Sequence, residues 1–166
     1  MKNNILIDID AFIMFRTFKM LDLIMQNFKI IITNILFGEL IHHIKKEEIK
    51  RYKDVFQFVE LTNDEKEFNY KIIKKHISKD AAKNFRRDKF KDYPGEIDAI
   101  TLANSRNIIF ITLNHATQIT AFTFKIKPYN IESFIEDFVK NHDTNLYKEL
   151  KRKFIKAKFK WPFLFK

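Results

Sequence analysis

Short runs of consecutive apolar residues recur along the chain, and most of them end at a polar residue. The clearest runs cover residues 5–7, 29–32 and 108–111, and they are rich in isoleucine. Short apolar runs without alternation are typical of strands that are buried on both faces, as in a parallel sheet. The run at residues 122–126 predicts a further strand, and residues 55–61 fit either a strand or the end of a helix.

Between these runs, apolar residues three and four positions apart predict helices. The predicted helices cover residues 11–26, 35–44, 63–77, 81–90, 96–105, 115–121 and 131–140. Strands that alternate with helices indicate the α/β class, and the length suits one domain. We therefore expect a single-domain α/β/α sandwich with a central, mainly parallel sheet over residues 1–145, followed by a C-terminal segment of residues 146–166.

Acidic residues stand where the predicted strands end. Asp8 directly follows the first strand, and ligands of open α/β sheets bind at the carboxyl ends of strands. Asp10 is better explained as the N-cap of the helix that follows it. Thr33 and Asn34 can cap the helix after the second strand, in which Glu39 is out of pattern among apolar residues.

The helix of residues 96–105 carries two acids that cannot both face one site. At 100° per residue, Glu96 shares a side with Ala99 and Ala103, and this side should turn inward. Asp98 points about 200° away from Glu96. We prefer Glu96 as the site residue, although an acid at a helix N-terminus is also explained by its favourable interaction with the helix dipole.

Asp8, Glu39, Glu96 and Asn114 stand at comparable positions and could converge on one cleft. Carboxylates gather against their mutual repulsion when a divalent cation holds them. The chain has no cysteine, so only oxygen or imidazole ligands are available, which favours magnesium or manganese. Two glycines are too few for a phosphate-binding P-loop. Hydrolysis by metal-activated water is thus better supported than catalysis by a side-chain nucleophile.

The chain is basic, with 31 Lys and Arg against 21 Asp and Glu and a formal charge of +10. This charge favours nucleic acid as a partner, although part of it can reflect a general abundance of lysine. No apolar run approaches the ~20 residues that span a bilayer, so we expect a soluble cytoplasmic protein without a membrane partner.

The last residues, 148–166, are basic with interleaved aromatic side chains. Such a segment can bind nucleic acid, lie on an anionic membrane, or pack its aromatic side chains on the core. Packing on the core is the default expectation.

Four motifs together resemble the PIN-domain nucleases, a family that includes the toxins of many prokaryotic toxin–antitoxin pairs. The opening strand ends in an aspartate at Asp8, and the second acid is Glu39. The third motif is an acid, Glu96, that leads into an alanine-rich helix, and the fourth is a strand that ends in Thr112 and then Asn114. The resemblance spans most of the chain.

The resemblance implies a PIN-like domain that acts as a metal-dependent endoribonuclease. Asp8, Glu39 and Glu96 would be the catalytic acids and would hold magnesium or manganese. Thr112 would orient Asp8 by a hydrogen bond, and Asn114 would be a weak or water-mediated ligand in place of the common aspartate. RNA is the implied partner, together with a possible small antitoxin and a possible homodimer. A catalytically weakened nucleic-acid-binding module or an RNA-processing factor is the alternative function.

Overall fold

A four-stranded sheet forms the centre of the molecule. The computed structural model describes residues 2–71, 73–76 and 94–161, with the side chains of residues 68–70 and 94 excepted. The strands are β1 (Asn3–Ile7), β2 (Phe28–Ile32), β3 (Gln57–Phe58) and β4 (Ile109–Ile111). Their order is β3-β2-β1-β4, and every pair is parallel. The predicted fold class, an α/β sandwich with a parallel sheet, is confirmed.

Helices connect the strands and cover the sheet. They are α1 (Ile9–Thr17), α2 (Leu21–Asn27), α3 (Asn34–Leu40), the 3-10 turn Ile41–His43, α4 (Lys46–Val55), the π-helical segment Glu65–Tyr70, α5 (Pro94–Arg106), α6 (His115–Thr123), α7 (Ile131–Ser133), which continues through the π-helical segment Phe134–Val139 into Lys140–His142, and α8 (Thr144–Lys160). The predicted helix of residues 81–90 lies outside the described residues.

The alternation of side chains along β1 divides the core into two layers. Ile5 and Ile7 point into the larger layer, which contains the buried faces of α1, α2, α3 and α8. Leu6 points the opposite way, into a smaller layer that contains α5 and Phe110 of β4. Successive residues of a strand face opposite sides of the sheet, so an unbroken apolar strand must be covered on both sides.

Two predicted elements differ from the structure. The single helix predicted for residues 11–26 is two helices, because Lys19 adopts a left-handed conformation (φ 56°) between α1 and α2. The strand predicted for residues 122–126 is wrong. Helix α6 continues to Thr123, Lys125 is again left-handed (φ 61°), and the Phe122 side chain is 61% exposed. Neither left-handed residue is a glycine, so no ordinary turn signal marks these breaks.

The described part of the C-terminal segment packs against the larger core layer. Helix α8 buries Leu146, Leu150, Phe154 and Ala157 on one side. Beyond its end, Trp161 stacks on Phe18 with ring centroids 6.0 Å apart. Within residues 2–71, 73–76 and 94–161, no helix has the length and apolar character needed to cross a membrane.

An ion pair joins the π-helical segment Glu65–Tyr70 to the end of α5. Arg106 donates from Nε to Glu65 Oε1 and from Nη2 to Glu65 Oε2, both at 2.9 Å. Hydrogen bonds from Arg106 and Ser105 lower the pKa of Glu65 to about 2, against a smaller opposing effect of burial. This pair holds the C-terminal end of α5, just before β4, beside the π-helical segment Glu65–Tyr70.

Candidate functional site

Asp8 lies at the carboxyl end of the central strand and is almost completely buried. It is the N-cap of α1, with an extended backbone, and its Oδ1 accepts a hydrogen bond of 2.7 Å from Ala11 N. Its Oδ2 accepts from the hydroxyl of Thr112 and from Leu113 N, the latter at 3.2 Å. The carboxylate therefore connects the ends of β1 and β4. The hydrogen bond between Thr112 and Asp8 that the PIN resemblance implied is present.

This position also corrects the sequence analysis. Asp10 was expected to cap α1, but the helix starts at Ile9 and Asp8 provides the capping oxygen. Asp10 lies exposed in the first turn, where a negative charge interacts favourably with the helix dipole. Asp8 thus both follows β1 and caps α1. The sequence pattern could not show whether Asp8 or Asp10, two positions later, provides the cap.

The surroundings of Asp8 disfavour its charged form. Burial raises the pKa of the Asp8 carboxyl to about 6. Hydrogen bonds from Thr112, Ala11 and Leu113 lower that pKa, and the neighbouring charge of Asp10 raises it. Desolvation therefore exceeds the stabilisation that three hydrogen bonds give to the carboxylate.

Glu39 extends from α3 to the N-terminus of α5. Its Oε1 accepts a hydrogen bond of 3.1 Å from Gly95 N. A Cβ atom at position 95 would collide with Glu39 Oε2 and would lie 2.9 Å from Leu36 Cδ1, so the ends of both side chains would have to move for any larger residue. Burial raises the pKa of Glu39, the Gly95 hydrogen bond lowers it, and the charge of Asp98 raises it.

Glu96 is the acid on which repulsion between carboxylates acts most clearly. Burial raises the pKa of Glu96 to about 7, and its own backbone N–H opposes this shift. The charges of Glu39, Asp8 and Asp10 contribute smaller shifts in the same upward direction. These three carboxylates thus each disfavour the charged form of Glu96, and Asp10 is an acid for which the sequence pattern indicated capping alone. The two-residue spacing of Asp8 and Asp10 was the signal for it.

Asp98 lies on another side of α5 and is more buried than Glu96, with 3% of its surface exposed. Burial raises the pKa of Asp98, and a hydrogen bond from Thr33 and the charge of Lys66 lower it. Asp98 borders a cavity of about 440 Å³ at the ends of β2 and β3, which Thr33, Val59 and Lys66 also line. The two acids of α5 therefore face different surroundings, although both interact with Glu39: the charge of Asp98 raises the pKa of Glu39, and the charge of Glu39 raises the pKa of Glu96.

Asn114 has a clear structural role as the N-cap of α6. Its Oδ1 accepts a hydrogen bond of 3.1 Å from Thr117 N, and its own N–H donates to the Thr112 hydroxyl oxygen at 3.1 Å. It therefore belongs to the same hydrogen-bonded group as Asp8 and Thr112. Its proposed role as a metal ligand stays a prediction.

The sheet order places this group where ligands of α/β proteins bind. The chain runs from β1 to β2 and β3 on one side and then crosses to β4 on the other side of β1. At such a reversal of strand order, ligands of open α/β sheets bind at the carboxyl ends of the two neighbouring strands. Asp8 and Thr112 directly follow those strands, β1 and β4.

The acids share an electrostatic field, but they do not form a coordination shell in this arrangement of side chains. Among the described residues, no group of three or more Asp, Glu or His side chains is positioned to hold a metal ion. The donor chemistry, carboxylate oxygens with one amide oxygen, suits magnesium or manganese.

No protein-family model matches the chain, and no curated protein is significantly similar to it. The resemblance to PIN-domain nucleases therefore rests on the residues and their order alone and stays a prediction.

Proposed function

We propose that the protein is an endoribonuclease that depends on magnesium or manganese. One observation supports the proposal: the charges of Asp8, Asp10 and Glu39 all act on Glu96, and Asp8 lies at the carboxyl end of β1. Burial is the largest cause of the rise in the pKa of Glu96 to about 7, and part of that rise reflects repulsion by the three other carboxylates. A divalent cation is the partner that would relieve it. The formal charge of +10 supports a polyanionic substrate such as RNA.

In this proposal, Asp8, Glu39 and Glu96 hold the cation and Asn114 contributes a neutral oxygen. When bound, the cation supplies activation of water and neutralisation of the charge that develops on the phosphodiester. Thr112 and Leu113 N fix the orientation of Asp8 through hydrogen bonds. A buried, oriented carboxylate needs little reorganisation to bind a cation, which is the advantage of a preorganised site.

The test is cleavage of a mixed RNA by the purified protein with manganese and then with EDTA. We expect cleavage with manganese alone, and we expect Asp8→Ala, Glu39→Ala and Glu96→Ala each to abolish it while the chain stays folded. Asp98→Ala should have a milder effect because Asp98 borders the other cavity, and Asp54→Ala, a change at an exposed acid, is the matched control. Cleavage that persists in EDTA, or an inactive Asp98→Ala beside an active Glu96→Ala, would contradict the assignment.

A binding module without cleavage is the second candidate. It is favoured by the protein contacts that the site oxygens already have: Asp8 with Ala11 N, Glu39 with Gly95 N, and Asn114 with Thr117 N. RNA binding in the presence of manganese without any cleavage product would support this candidate and reject the nuclease.

The resemblance to PIN-domain toxins adds a narrower proposal, that the nuclease is the toxin of a toxin–antitoxin pair. Its expression should then slow growth, and a small partner protein should relieve the effect. An active nuclease that leaves growth unchanged would favour RNA processing instead.

A further inference from the structure

Helix α8 has two basic flanks with different surroundings. On the flank toward the π-helical segment Phe134–Val139, Lys151 pairs with Glu136 at 3.1 Å and Lys158 pairs with Glu132 at 2.8 Å. These cations have a structural explanation, because each neutralises a nearby carboxylate.

The other flank carries cations with no such explanation. Arg152, Lys153, Lys156 and Lys160 lie within about 100° of one another around the helix. In the described part of the chain, no carboxylate forms an ion pair with Arg152, Lys153 or Lys156. Like charges that gather on one flank repel one another, and this arrangement suits an anionic ligand.

These cations border a cavity of about 380 Å³ between α8 and the end of α1. Thr17, Phe18 and Lys19 line its α1 side, and Trp161 lies at its end against Phe18. None of the described residues that line it is acidic. We call this concave surface the basic cleft, defined by its cationic residues Lys19, Arg152, Lys153, Lys156 and Lys160.

Beside the basic cleft, two apolar side chains project from α8 into solvent. Phe159 is 91% exposed and Ile155 is 55% exposed. Phe159 is three positions after Lys156 and four after Ile155, so the three side chains are neighbours on the helix surface. An exposed aromatic ring next to a row of cations is the combination with which proteins bind single-stranded nucleic acids without reading their sequence.

We propose that the basic cleft binds the phosphate backbone of single-stranded RNA and that Phe159 stacks on one of its bases. The inference rests on the proposed function for its substrate class. Helix α1 begins at the Asp8 cap and ends beside the basic cleft, so its nine residues, about 14 Å in length, separate the two sites. One strand of RNA can therefore occupy both.

The shape of the surface favours RNA over a lipid membrane. A helix that lies on a membrane presents a broad apolar face to the lipids, whereas α8 buries its apolar face in the core and exposes only Ile155 and Phe159. The cations surround a concavity, and a concave row of charges follows a polyanionic chain better than it follows a flat lipid surface.

The test is equilibrium binding of a fluorescein-labelled 20-nucleotide oligouridylate to the full chain in EDTA, where metal-dependent cleavage cannot occur. Lys153→Gln/Lys156→Gln should weaken binding and reduce the slope of log affinity against log salt by about 1.4, since each phosphate contact contributes about 0.7. Lys50→Gln/Lys53→Gln, which removes the same charge from two exposed sites of α4, should leave the slope nearly unchanged.

A second pair of variants tests stacking. Phe159→Ala should weaken oligouridylate binding about tenfold, the usual effect of losing one base stack, whereas Phe122→Ala removes an exposed phenylalanine of α6 and should have no effect. Thermal unfolding of every variant shows whether the chain is intact.

Three outcomes would overturn the proposal. Equal salt slopes for the two double variants would show that the basic cleft makes no phosphate contacts. A Lys153→Gln/Lys156→Gln variant that unfolds at a lower temperature but binds the oligouridylate as well as the wild type would show that these lysines stabilise the fold and do not bind RNA. Binding to vesicles of phosphatidylcholine and phosphatidylserine that requires Phe159, with RNA binding independent of it, would assign the surface to membranes. The nuclease proposal is untouched by these outcomes, because no binding assay here depends on cleavage.

Discussion

Replacing Asp8 by asparagine should change how stability depends on pH. In the folded chain the pKa of Asp8 is raised from 3.8 to about 6. A raised carboxyl pKa means that the folded state retains a proton which the unfolded state has lost. The protonated Asp8 carboxyl therefore stabilises the folded state fully below pH 3.8, and this stabilisation disappears as the pH rises through 6. The difference corresponds to about 3 kcal/mol of unfolding free energy lost by pH 8 without metal, at ~1.36 kcal/mol per pH unit.

Asp8→Asn removes this loss because an amide does not ionise. Asparagine is as good an N-cap as aspartate, so the bond from Ala11 N is kept. The amide nitrogen takes the place of Oδ2, so the hydrogen bond from Leu113 N is lost at a cost of about 1 kcal/mol, and the one with Thr112 reverses, with the amide donating to the hydroxyl oxygen. The variant should be about 2 kcal/mol more stable than the wild type at pH 8, and equal or about 1 kcal/mol less stable at pH 4. Glu96 titrates in both proteins, and since the charge of Asp8 is one of the smaller causes of its raised pKa, most of its contribution cancels in the comparison.

The assay is urea unfolding between pH 4 and 8 in EDTA, followed by circular dichroism and by fluorescence of Trp161, the single tryptophan. Asp54→Asn, a change at an exposed acid, should give a profile parallel to that of the wild type. If the Asp8→Asn profile were also parallel, the buried carboxyl would not titrate as the structure requires, and the reasoning from burial would be refuted.

Three other variants test the site. Gly95→Ala should lower the unfolding free energy by about 1–3 kcal/mol, because the new methyl group displaces Glu39 and Leu36. Gly38→Ala, which meets no atom within 4 Å, should instead raise it by about 0.5–1 kcal/mol, and urea unfolding of both variants checks the contrast. Asn114→Asp keeps the cap of α6 and adds a charge, so calorimetric titration should show tighter manganese binding. Equal affinity and stoichiometry would remove Asn114 from the metal site.

The sequence predicted the structure best where a strand or a helix cap depends on residues that are close together in the chain. Apolar runs without alternation identified β1, β2 and β4, since only a strand covered on both sides tolerates such a run. Thr33 caps α3 as predicted, with its hydroxyl oxygen accepting from Leu36 N at 3.1 Å. Both features depend on residues within a few positions of one another.

The pattern of apolar and polar residues could not predict features that depend on residues far apart in the chain. Helical periodicity put Glu96 on the inward side of α5, yet Asp98 is the more buried acid, because α5 is packed on more than one side. The hydrogen bond from Gly95 to Glu39 joins residues 56 positions apart, and the one from Arg106 to Glu65 joins residues 41 apart. No local signal pairs such residues, since their meeting is decided by how the helices pack on the sheet.

The position of β4 has a consequence for how the chain acquires its site. Pairing of β1 with β2 closes a short loop, whereas the contact between Asp8 and Thr112 joins residues 104 positions apart. Long loops cost more entropy to close, so contacts of this kind tend to form late in folding. During synthesis, Asp8 and Glu39 leave the ribosome before Glu96 and Thr112 have been made. A partly made chain therefore lacks the complete site until β4 has been made and has docked beside β1.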